Sequence, residues 1–294
     1  MNRSPQTRLV WKAIVAIPLL LALAAFLQRR IDAETRSEAT QREELLVRSA
    51  PLVKKLSLGY DSLLADIYWT RVVQYYGRRV GLPNASFDLL PPLLDITTTL
   101  DPHLVVAYRF GAIFLSEPKP IGDGRSDLAV ELVKRGIAAN PDQWLLYYDL
   151  GFLYYWRLKN YPDAAATYLA GGKLPHAPIL MKLMAARIAE KGGSIETSRM
   201  IFSQLYQSTK DPNVQKIALK QLRILKAQED EMHLDELIEQ YAKRFGRRPT
   251  SIKDLVEAGL LPGVPLDPLG FPYVIGTDIK SHLNPKSPIG QPNP

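Results

Sequence analysis

From about residue 50 to about residue 245, apolar positions recur at intervals of three and four, and β-branched alternation is absent. That periodicity predicts helix almost throughout. Two segments break the pattern. Residues 13–27, AIVAIPLLLALAAFL, are continuously apolar, and a polar, helix-prone stretch with interspersed Arg and Glu runs from there to about residue 50. At the other end, nine of the 46 residues from 249 to 294 are proline, which forbids a long regular helix there. The expected organisation is an apolar N-terminal segment (1–30), a helical stalk (31–57), a helical body (58–245), a cap with a short helix and a turn and strand (246–283), and a disordered tail (284–294).

The N-terminal run approaches the roughly 20 residues a membrane span needs once Leu9, Val10 and Trp11 are counted, with Lys12 snorkelling to the interface. It reads as a single-pass anchor, with the body on the periplasmic or other extracytoplasmic side. A cleaved signal peptide is the competing reading. Arg3, Arg8 and Lys12 would be its basic region and Ala22-Leu23-Ala24 its cleavage site, although the apolar run continues to Leu27. Basic residues flank the run on both sides, so the positive-inside count does not set the orientation.

Within the body, Asp101-Pro102, Asn140-Pro141 and Asp211-Pro212 each fit an N-cap followed by proline in the first helical turn. With Pro175 they are spaced 39, 34 and 37 residues apart. After Asn140-Pro141 come Trp144, Tyr147, Leu150, Gly151 and Tyr154, then Ala164, Tyr168 and Gly171 before Pro175. This arrangement resembles the tetratricopeptide repeat, whose period is about 34 residues. Residues 104–141 resemble it too, through Ala107, Phe110, Gly111 and Phe114, then Ala129, Val133 and Gly136, with a longer loop inside SEPKPIGDGRSD. A third copy has Ala185, Ser198, Phe202 and Leu205. Residues 60–102 form a degenerate first copy in which Pro91 and Pro92 interrupt the second helix. The resemblance implies an all-α solenoid of helical hairpins over residues 58–245.

The segment YAKRFGRRPTSIKDLVEAGLLPGVPLDPLGFPYVI, residues 241–275, resembles the C-terminal part of a type II secretion major pseudopilin. Pro249, Leu255, Gly259, Leu260, Pro265, Asp267, Pro268, Gly270, Pro272 and Tyr273 carry the match. Arg248 departs from it, and so does the N-terminus, which lacks the pilin methylation signature. Independently of that likeness, Asp-Pro-Leu-Gly is a turn and FPYVI an edge-type strand packing back on the last helices.

Composition narrows the function classes. The chain is 46% hydrophobic and 23% charged, which is ordinary for a globular protein with a sizeable core. Its net charge of +7 is spread along the chain, so a nucleic-acid partner is not expected. There is no cysteine, hence no disulfide or thiolate metal site. The four histidines stand apart, and no G-x-S-x-G, P-loop or dinucleotide fingerprint occurs. No catalytic residue, metal ligand, cofactor or small-molecule substrate is expected. The acidic triplet Glu229-Asp230-Glu231 and the basic cluster Lys243, Arg244, Arg247 and Arg248 read as solvated helix surface, with contact to lipid headgroups or an acidic partner as the alternative for the basic cluster.

The expected role is binding. In WLLYYDLGFLYYW, residues 144–156, a glycine costs about 1 kcal/mol of helix propensity. Placing Gly151 at a close helix crossing explains it. Tyr147, Tyr154 and Leu158 then face the core, leaving Tyr148, Phe152, Tyr155 and Trp156 as a second stripe. In the tetratricopeptide class that stripe lines the concave groove, with Val105, Tyr108 and Ala112 at the matching positions of the preceding copy. None is cationic, so the resemblance implies an apolar helix or peptide as ligand rather than a charged C-terminus. The reading is a membrane-anchored interaction scaffold or assembly subunit, with protein partners among membrane-complex subunits. The alternatives are a component of a pilus-like or secretion machinery, and an enzyme with a helical-repeat accessory region.

Overall fold

Prolines 91, 92, 162 and 212 stand in the first turns of three helices. The computed structural model describes Phe26 and residues 49–290, and residues from Ala50 onward form one compact unit. This unit is almost wholly helical. A short α1 (Ala50–Leu56) precedes α2 (Asp61–Gly77) and α3 (Leu90–Leu100). Then come α4 (Val105–Ser116), α5 (Ser126–Ala139), α6 (Trp144–Phe152) and α7 (Tyr161–Gly171). The series ends with α8 (Leu180–Lys191), α9 (Ile195–Ser208), the long α10 (Pro212–Phe245) and α11 (Ile252–Glu257).

Pro91 and Pro92 do not interrupt α3. They occupy its first turn, where a missing N–H costs nothing. Asp211-Pro212 behaves as expected, since the Asp211 carboxylate accepts from Asn213 N at 2.8 Å. Asp101 and Asn140 do not cap the next helices in the chain. Those helices begin at Val105 and Trp144, and Asn140 instead joins two turns. Its Nδ2 donates to Pro102 O at 2.8 Å and Gly136 O at 3.1 Å, while its Oδ1 lies 3.0 Å from the His103 ring.

Consecutive helices pack on one another: α2 with α3, α4 with α5 and α6 with α7, and from α7 onward each helix packs closely on the next, through α8 and α9 to α10. Small residues allow the close approach. A Cβ on Gly151 would lie 2.7 Å from the Tyr168 ring, and one on Gly136 would lie 2.8 Å from the Tyr108 ring. One core cluster gathers Tyr168, Met181, Ala185, Ile201, Phe202 and Leu205. At the N-terminal end, Phe114 of α4 stacks on Tyr76 of α2 with ring centroids 3.8 Å apart.

The C-terminal segment packs on α10. Val274–Ile275 (β1) and Ser281–His282 (β2) pair antiparallel, Val274 opposite His282. Gly270 ends the Asp267 turn at φ 91°, a conformation that glycine adopts without steric cost. Tyr273 is buried and donates to Asp230 at 3.0 Å. Asp235 accepts from Ser281 N and Oγ, and Glu231 accepts from Leu283 N. Glu229 pairs with Arg199. Asp230 and Glu231, with Asp235, therefore dock the cap, while Glu229 ties α10 to α9, so the triplet is not a solvated face. The tail also departs from expectation. Ser287 and Ile289 are buried, and the Ser287 hydroxyl donates to Asp267, so the ordered cap runs to residue 290.

Among the described residues no helix is long and apolar enough to cross a membrane. The apolar run 13–27, apart from Phe26, and the stalk residues 31–48 lie outside the described residues.

Candidate partner-binding site

The aromatic segment begins as α6 and continues through one π turn, Leu153–Arg157. A π turn inserts an extra residue and rotates the positions C-terminal to it. Periodicity alone places Leu158 in the core; with the turn present it is 45% exposed. Tyr147 and Tyr154 are half-buried and pack on the core, Tyr147 closing over Gly171.

The four stripe residues divide. Tyr148 and Tyr155 are half-buried and also pack against the core cluster. Tyr148 meets Tyr168 edge-on at 5.7 Å. Phe152 and Trp156 are exposed and stack on each other, centroids 6.4 Å apart and planes 17° apart. Tyr155 continues the ladder to Trp156 at 6.2 Å and to Tyr161 at 5.8 Å. Lysines border it. Lys159 lies 4.7 Å from the Trp156 ring, and Lys191 lies 4.9 Å from the Tyr155 ring while donating to its hydroxyl at 2.9 Å. That hydrogen bond raises the Lys191 pKa, so the ammonium stays charged.

Tyr108 does not belong to this face. It is 2% exposed, enclosed by Gly136, and burial raises its hydroxyl pKa. Ala112 is buried with it. The position equivalent to Tyr148 thus serves packing in the preceding helix pair. Of the four stripe residues Tyr148 alone reaches a second apolar feature, formed with Trp144, Leu145 and Leu180. With Arg109 and Met181 these residues line an apolar cleft of about 220 Å³ between α6 and α8. Trp144, one helical turn before Tyr148, was the available sequence signal.

Two ion pairs hold α4 and the residue that follows it, Glu117, against the aromatic segment. Arg109 donates to Asp149 at 2.6 Å, and Arg157 pairs with Glu117. Burial raises the Asp149 pKa against the opposing pull of Arg109. Removing Arg109 alone would strand a half-buried carboxylate.

A wider cleft of about 640 Å³ is lined by residues of α8, α10 and β2. Its acids are engaged in structure: Glu190 accepts from Gln221 and Gln228, and Asp235 and Glu231 hold the cap. Among the described residues no group of three or more His, Asp or Glu side chains is placed to hold a metal ion.

No protein-family model matches the sequence, and no curated protein matches it.

Proposed function

We propose that this protein is a membrane-attached helical-repeat scaffold that binds an apolar helix or peptide segment of a membrane-complex subunit on the Phe152–Trp156 face. The observation that carries the reading is the exposed, mutually stacked Phe152–Trp156 pair. Rigid aromatic surface of this kind supplies contact area at small entropic cost and anchors many interfaces. The glycines at matching positions of two copies, Gly111 with Gly151 and Gly136 with Gly171, each stand where a Cβ would collide with a side chain of a neighbouring helix, which supports a tetratricopeptide-like solenoid as the frame. The apolar run 13–27 supports the attachment. A role in a pilus-like or secretion machinery is the second reading. It is favoured by the Asp267-Pro-Leu-Gly turn leading into β1, which resembles the pseudopilin C-terminal region.

Photo-cross-linking from position 156 of the full-length chain in native membranes tests the reading. One discrete protein adduct is expected, and Phe152→Ala should abolish it. Adducts to lipid alone, or none, would overturn the proposal.

A further inference from the structure

The N-terminal edge of the body carries an apolar surface that the fold does not use. Leu56, Leu63 and Ile67 are more than half exposed, Tyr60 is 67% exposed and Leu58 is 86% exposed. Leu63 and Ile67 lie one turn apart on α2, away from the side that buries Ala65, Val72 and Tyr75.

Leu58 is the most informative of these. Its φ is 52°, a left-handed conformation in which a leucine Cβ crowds its own backbone. The turn that holds it there is well built. Ser57 is buried, its hydroxyl bonds Lys54 O and the Asp61 carboxylate, and Tyr60 N donates to Ser57 O at 2.9 Å. The fold therefore spends conformational strain to hold an apolar side chain in solvent. That combination points to a contact outside the described body.

Chain connectivity indicates what the contact is. The apolar run ends at Leu27 and the described body starts at Ser49, leaving 21 residues between them. Even fully extended, such a connection spans at most roughly 75 Å. It keeps the edge near the bilayer at an effective concentration of millimolar order, where a few apolar side chains suffice. The chemistry fits an interface: leucine and isoleucine for the acyl boundary, an exposed tyrosine at headgroup depth, and Lys55 for phosphate. Asp66 offsets that charge, so insertion, and not attraction to anionic lipid, drives the contact.

We propose that α1, the Leu58 turn and the first two turns of α2 lie on the bilayer that holds residues 13–27, with Leu58 inserted to the acyl boundary. This rests on the membrane attachment proposed above and is independent of the aromatic face.

The chain has no cysteine. Leu58→Cys, Leu63→Cys and, as a control on α10, Met232→Cys therefore each give a single thiol in the full-length protein. Each is labelled with an environment-sensitive fluorophore and reconstituted into phosphatidylethanolamine–phosphatidylglycerol vesicles. Lipids brominated in the acyl chain should quench the labels at 58 and 63 several-fold more than the label at 232. Equal, weak quenching at all three overturns the proposal. If the labels at 58 and 63 are then also shielded from iodide, a second copy or residues 28–48 cover the face instead. Protein that fails to float with the vesicles defeats the attachment reading itself, whereas floating protein with unquenched labels defeats only this inference. Leu58→Gly, combined with the label at 63, separates strain from use. It should leave the melting temperature unchanged or raised while reducing quenching at 63. A lowered melting temperature would make Leu58 a structural residue and overturn the proposal.

Discussion

Gly151 of α6 and Tyr168 of α7 meet where their helices cross, and a Cβ at Gly151 would lie 2.7 Å from Tyr168 Cε2. Tyr168 is fully buried and held edge-on by Tyr148, so the ring cannot retreat. Gly151→Leu should therefore destabilise the body by about 1–3 kcal/mol through overpacking. Thermal unfolding of the full-length chain in detergent reads this directly. An unchanged melting temperature would mean that the two helices do not cross at Gly151.

The same tyrosine makes a second prediction. Its hydroxyl is buried with no hydrogen-bond partner among the described residues, and burial raises its pKa. An unpaired buried hydroxyl costs about 1–3 kcal/mol. Tyr168→Phe keeps the ring that fills the crossing and removes that cost, so denaturant unfolding should show equal or greater stability. A clear loss would reveal a partner for the hydroxyl, such as a buried water.

The crossing was legible in the sequence because a glycine inside an aromatic helix weakens that helix unless a second one packs closely against it. The helical body and the Asp-Pro-Leu-Gly turn were legible for similar local reasons. Tyr108 was not, because periodicity aligns it with Tyr148 and cannot say which copy has a neighbour covering that face. Leu158 was misplaced because spacing rules assume a regular helix, and the π turn at 153–157 shifts every later position. The tail to residue 290 was missed because its order comes from one buried acceptor 20 residues upstream, which proline-rich composition does not reveal.

That acceptor, Asp267, gives a pH prediction. Burial pushes its pKa up, but hydrogen bonds from Ser287, Phe271 N and Leu269 N outweigh burial and hold it below the usual carboxylate range. Because the folded pKa is depressed, the stabilisation is fully present above the unfolded value of about 3.9. It is lost as pH falls through the lower folded value. The cap should stay docked at neutral and mildly acid pH and loosen only in strong acid. Asp267→Asn should cost about 1.5–3 kcal/mol of local stability at neutral pH. Hydrogen exchange across residues 262–290 measures both effects. Unchanged protection in the variant would show that Asp267 does not latch the tail.

The central proposal is that Phe152 and Trp156, unlike the core-packed Tyr148 and Tyr155, are free of the core and bind a partner. Phe152 is 38% and Trp156 52% exposed, so truncating them should cost the fold little, within about 1 kcal/mol together. The most direct measurement compares wild type with the Phe152→Ala/Trp156→Ala variant, each purified from the cells that make it. Unfolding temperature and the co-purifying proteins are read on the same samples. The expected result is an unchanged unfolding temperature with specific loss of one co-purifying protein. A fall in unfolding temperature with the same proteins retained would contradict the proposal, because the pair would then be structural.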